Sequence, residues 1–251
     1  MYNKLFLKTL TTFFVLIGVA LAAAGESKRD SEIEVLPREL EVELALSAAP
    51  KHLRAEAGVY VLEKNGYAQV RESKNGFICI VTRPDFGIQE GAFEPMCLSP
   101  EAVRVYLEVI LENAKLRAQG KSLEELNRII SNGYATGKYE TPSKPGVIYM
   151  LSPINRVGAN TGKNFLPGAG DGVIPVHPHI MYFGFNVSRE ELGLLGMRDQ
   201  KRPAWLPLLT GQNRPFSWIV TFIDPKAVQE IMNAPGSIAL TKKMQKYLKQ
   251  G

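Results

Sequence analysis

The 251-residue sequence holds few of the residues on which enzymes most often rely: three histidines, His52, His177 and His179, and two cysteines, Cys79 and Cys97. There is no G-x-S-x-G nucleophile elbow, no H-E-x-x-H zinc helix and no S-x-x-K accompanied by K-T-G. The commonest hydrolase signatures are therefore excluded as linear motifs. A C-x-x-C redox centre is excluded as well, because the cysteines lie too far apart. Charge of one sign is not in excess. With 30 basic and 25 acidic residues, and no basic stripe interleaved with stacking aromatics, the composition argues against nucleic-acid binding. Internal repeats and low-complexity tracts are missing, so a solenoid is not expected.

Long apolar runs are confined to the N-terminus. Lys4 and Lys8 precede the apolar stretch Leu10 to Ala23, and Leu21-Ala22-Ala23-Ala24-Gly25 supplies the small residues of a signal-peptidase site. Residues 1–24 therefore read as a signal peptide and 25–251 as the mature chain, without a membrane span and either periplasmic or secreted. Removal of Lys4 and Lys8 leaves 28 basic against 25 acidic residues, which is close to balance. In an oxidising compartment Cys79 and Cys97 are expected to form a disulfide, worth about 3 kcal/mol for a short closed loop.

The remaining pattern points to one α+β domain: a mostly antiparallel sheet of about six strands with helices packed on one face. Strands are expected near 59–62, 67–72, 77–82, 147–151, 179–183 and 217–223. Asn65-Gly66 and Asn75-Gly76 separate the first three, and Asn-Gly accepts the positive φ of hairpin turns. This spacing predicts an antiparallel three-stranded meander. The segment carrying Asp85, Glu90 and Glu94 reads as a loop. Helices are expected from Pro37 to Ala49, after Ser99-Pro100, after the capping box Ser122–Glu125, after a second box Ser188–Glu191, after Asp224-Pro225, and in the basic tail. In the helix opened by Pro225, the residues Ala227, Val228, Ile231 and Met232 are expected to face inward. Residues 196–215 read as an irregular packed loop.

Function is sought in the long connection after the strand at 147–151. His177 and His179 stand two apart, and on an extended backbone both imidazoles would project to one side. With Asp171 they form a candidate catalytic group, and the same three residues form a candidate ligand set for a transition metal such as zinc. Other carboxylates and His52 are alternatives for the third position. Ser152, a histidine and Asp171 make an imaginable triad. Upstream, Asn155, Arg156, Asn160 and Lys163 suit a small polar or anionic ligand, with glycines allowing close backbone approach. The spacing departs from the P-loop and from dinucleotide-binding loops, which argues against a nucleotide. Two functions follow: a hydrolase acting on a small polar substrate at the His177/His179 pocket, with or without a metal, or a non-catalytic exported ligand-binding or envelope-associated protein.

Overall fold

The computed structural model describes residues 35–83, 92–158, 173–196, 201–203, 205–211 and 215–248. The expected signal peptide lies outside these residues. Among the described residues no helix is long and apolar enough to cross a membrane. Eight strands form one mixed, mostly antiparallel sheet: β1 Gly58–Glu63, β2 Gly66–Arg71, β3 Ile78–Thr82, β4 Glu94–Leu98, β5 Gly146–Met150, β8 His179–Phe185, β9 Leu208–Thr210 and β10 Ser217–Phe222. Their order is β2-β1-β3-β4-β5-β8-β10-β9. Between β5 and β8, two further strands, β6 Arg156–Gly158 and β7 Val173–Pro175, form a separate antiparallel ribbon. All six expected strands lie in the main sheet, joined by β4 and β9.

The meander is corrected. β1 and β2 form an antiparallel hairpin, but β3 pairs with β1 in parallel, with Gly58 opposite Ile78 and Val59 opposite Cys79. Asn75 explains the detour. Its Oδ1 accepts from Phe77 N at 3.0 Å and its Nδ2 donates to Leu53 O at 3.0 Å, while Lys74 N donates to Glu56 O at 2.8 Å. The turn is thereby tied to the segment preceding β1, and β3 is delivered to β1's other edge. Burial sorts the strands consistently: β2 has no buried residue, whereas Ile78 to Val81 of β3 are all buried.

β4 replaces part of an expected loop. Glu94 opens it, and Pro95, which lacks a ladder donor, discourages a central-strand reading of the sequence. The conflict is resolved because Pro95 faces only Val81 of β3. The ladder to β5 is confined to Cys97 and Leu98. Cys79 and Cys97 stand directly opposite each other and form the expected disulfide.

Successive side chains of the central strands serve opposite faces. Val59, Val61, Cys79, Val81 and Cys97 pack with α1 Arg38–Ser47 and α6 Pro235–Met244 through Leu44, Ala45, Leu240 and Met244. Ile78, Ile80, Met96, Leu98, Ile148 and Phe183 pack on the other side with Ala102, Val105, Leu107 and Ile110. These last four belong to a continuous helical stretch: α2 Pro100–Ala102, a π turn Val103–Leu107 and α3 Glu108–Ala118. α4, Leu123–Ala135, packs on α3. Helices thus cover both faces rather than one, because the central strands are apolar on both sides and each side needs a cover.

Two local expectations also change. The box Ser188–Glu191 does form, with Glu191 N donating to Ser188 Oγ at 3.2 Å and Ser188 N donating to Glu191 Oε2 at 2.7 Å. No helix follows it. Gly193 takes φ +63° and Leu194 N bonds back to Arg189 O, closing the chain into a turn after one revolution. In α5, Pro225–Asn233, Asp224 caps the helix as expected, yet none of its residues is fully buried and Met232 is 40 % exposed.

Candidate functional site

The connection between β5 and β8 starts at a fixed base. Ser152 is fully buried; its Oγ accepts from Ile154 N at 3.1 Å and lies 2.6 Å from Ser47 Oγ. Ser47 Oγ in turn reaches Leu44 O at 2.6 Å. One proton arrangement satisfies every contact: Ser47 donates to Leu44 O, Ser152 donates to Ser47, and Ile154 N donates to Ser152. Ser152 therefore acts as a turn and helix fastener, which removes it from the triad imagined from the sequence.

The backbone then enters the β6–β7 ribbon. Arg156 N donates to Phe93 O and Val176 N donates to Asn155 O, both at 2.8 Å, so the ribbon's base is bonded to the segment entering β4 and closes on itself. Asn155 is 2 % exposed and Arg156 half-buried. Asn160, Lys163 and Asp171 lie outside the described residues.

His177 and His179 differ in burial. The sheet begins at His179, so the alternation that relates residues two apart does not reach back to His177, and Pro178 between them has no N–H for a ladder bond. His177 is exposed. His179 is 6 % exposed, opposite Met150 of β5 and Phe222 of β10, with its ring centroid 5.8 Å from that of Phe222. Burial lowers its pKa, partly opposed by the bond to the His177 carbonyl, so the neutral ring is favoured at neutral pH.

The tautomer follows from two distances. His179 Nδ1 is 2.8 Å from His177 O and 3.5 Å from Asn155 Nδ2. A carbonyl oxygen accepts only, so the short contact requires a proton on Nδ1. That proton prevents Nδ1 from accepting from the Asn155 amide. Nε2 then carries the ring's lone pair. Asn155 Oδ1 is a buried acceptor without a hydrogen-bond partner, and Nδ2 faces a second donor at 3.5 Å, so the enclosed amide as a whole is poorly satisfied.

No group of three His, Cys, Asp or Glu able to hold a metal ion is found among the described residues. His52, the remaining histidine, is exposed on a single 3-10 turn, Lys51–Leu53. Glu94 belongs to β4, where its carboxylate is 3.3 Å from Thr82 Oγ1.

Sequence reasoning missed the most enclosed ionic contact among the described residues. Glu41 of α1 is fully buried, accepting from Leu62 N at 3.0 Å and pairing with Arg83 Nη2 at 3.0 Å. The Arg83 guanidinium also lies 4.8 Å from the centre of the Phe93 ring. The signal was Glu41 on the apolar side of a helix between Leu40 and Leu44. A carboxylate in that position needs a cation in the core. Comparison of the chain with protein-family models, curated proteins and solved structures gave no match.

Proposed function

We propose that this is an exported, non-catalytic binding protein that holds a small polar or anionic ligand at the base of the β6–β7 ribbon. Asn155 would orient the ligand, while Arg156 and the exposed His177 would supply donors. The observation that carries this reading is the division of labour at the histidine pair. His179 is committed to the start of β8 through its Nδ1–H, and beside it the Asn155 carbonyl oxygen is buried without a partner. An orphaned acceptor next to a guanidinium-bearing residue and an exposed imidazole suits a ligand that carries both a donor group and negative charge.

The test is thermal unfolding with phosphate, sulfate, citrate and short hydroxy-carboxylates. A ligand at a hundredfold excess over its Kd should add about 2.7 kcal/mol, raising Tm by about 5–10 °C. Replacing Arg156 by Gln or His177 by Ala should remove most of that rise. Equal rises in wild type and both variants would reject the ribbon base as the site.

One observation favours a second reading, a hydrolase using His179 as general base. A neutral imidazole whose Nδ1–H is held by a carbonyl has its basic lone pair on Nε2. On that reading, turnover of small esters or phosphomonoesters should fall at least about a hundredfold in His179→Gln. Turnover at wild-type rate in that variant would reject it.

A further inference from the structure

A cleft lined by well-placed elements lies away from the ribbon. It measures about 400 Å³ and lies between the end of α1 with the following 3-10 turn and the α5–α6 corner. That volume falls within the range of small-molecule sites, roughly 300–1,000 Å³. The cavity under α3, at about 60 Å³, has room only for water-sized occupants. Ile231, Ala234, Pro235 and Leu240 give the larger cleft an apolar wall, and Lys51 and Arg54 stand on the α1 side. The geometry has a local cause. Ala234 takes φ −61° and ψ 137°, ending α5 and starting α6 at the same residue, so the two helices meet at a corner.

The ionic groups around the cleft are not all alike. Glu43 is already paired, accepting from Lys243 Nζ at 2.6 Å. Glu230 is exposed at the rim. Arg54 is half-buried and rigidly held: Nε donates to Ala49 O at 2.9 Å and Nη2 donates to Ser47 O at 3.1 Å. These two bonds leave other guanidinium donors to spare, and among the described residues no carboxylate forms an ion pair with it. A fixed cation of this kind, with the exposed ammonium of Lys51 beside an apolar wall, is complementary to an anionic head on an apolar tail.

We propose that this cleft binds a medium-chain alkyl carboxylate, its head held by Arg54 and Lys51 and its chain lying against Ile231, Pro235 and Leu240. The inference stands apart from the ribbon site and does not rest on it. Recognition would be by charge and hydrophobic contact together. Alcohols of the same length lose the ion pair, cations of the same length meet Arg54 and Lys51 as like charges, and short carboxylates lack the tail.

Calorimetric titration of the purified protein with decanoate below its micelle concentration tests this. One saturable site is expected, with decanol at least about tenfold weaker, the value of one charge-assisted hydrogen bond, and decyltrimethylammonium not binding. Arg54 is unsuitable for mutation because it also fastens the end of α1. Two other variants keep the fold. Lys51 is exposed, so Lys51→Glu should unfold at the wild-type temperature and bind decanoate at least about tenfold more weakly. Gly236 lines the cleft, and a Cβ added there would meet nothing within 4 Å. Gly236→Leu should therefore be accepted without strain and, by adding bulk at the cleft lining, weaken binding. No saturable decanoate binding by the wild type would overturn the proposal. So would unchanged binding in Lys51→Glu, or binding of decyltrimethylammonium as tight as that of decanoate.

Discussion

The two faces of the sheet are held by different physics. Against α1 and α6, apolar packing is reinforced by one disulfide, the fully buried Glu41–Arg83 pair and the Ser47–Ser152 fastener. Against α2–α4, the core is aliphatic and aromatic: Phe183 and Phe216 have centroids 5.7 Å apart, and Phe216 and Trp218 5.0 Å apart. The first face depends on groups that are costly when broken singly, whereas the second depends on shape. Removing a partner from the first should therefore cost more than adding a methyl to the second.

The largest effect is expected from Glu41→Ala, which takes the Glu41 carboxylate from the buried Arg83 guanidinium and deprives Leu62 N of its acceptor. A loss of about 3–5 kcal/mol in urea unfolding is expected. Replacing both Glu41 and Arg83 by apolar residues of similar volume should recover much of it. A single-variant loss below about 1 kcal/mol would erase the contrast between the faces. Next is the Cys79–Cys97 bond, whose replacement by two alanines should cost about 3 kcal/mol, with the helical and strand signals retained in circular dichroism.

On the other face, Gly146 lies under the Phe183 ring, where a Cβ would come within 2.2 Å of Cζ. Gly146→Ala should cost about 1–3 kcal/mol by overpacking. Trimming the ring in the same chain, Phe183→Leu with Gly146→Ala, should cost less than the sum of the two single changes, as measured by a double-mutant cycle.

The smallest effect concerns acid, at the edge of this second face. Glu101 accepts two bonds from Arg104, at 2.7 and 3.1 Å, and one from Ser143 N at 2.9 Å. Chiefly the Arg104 side chain, opposed by burial and helped by the Ser143 and Lys144 amides, lowers its pKa to about 2. Because the folded value lies below the unfolded one near 4.3, ionised Glu101 contributes stability above that pH. The contribution should fade as pH drops towards 2. Glu101→Gln should therefore show a shallower loss of Tm over that window than wild type; parallel curves would remove Glu101 from the acid response.

The sequence made the elements more legible than their arrangement. Cys79 and Cys97 were legible as a pair because the expected signal peptide implies an oxidising compartment and the chain has no other cysteine. Pro95 hid β4, since the rule it breaks concerns central strands and only the β3 side of Pro95 is laddered. Asn75-Gly76 carried a hairpin signal, yet the Asn75 side chain spends its bonds on Phe77 and Leu53 and sends β3 across to β1. The histidine spacing carried less information than it offered, for a related reason. A period of two holds only inside a strand, and β8 starts at the second histidine. Arg54 and Lys51 gave no linear signal as a site, because α5 and α6, which complete their cleft, come almost two hundred residues later.

β5 and β8 are neighbours in the sheet, so everything from residue 151 to residue 178 is a detour between adjoining tracks. The entropy needed to close such a detour grows only with the logarithm of its length. Doubling the length of that connection should therefore cost the sheet only about 0.6 kcal/mol in closure entropy.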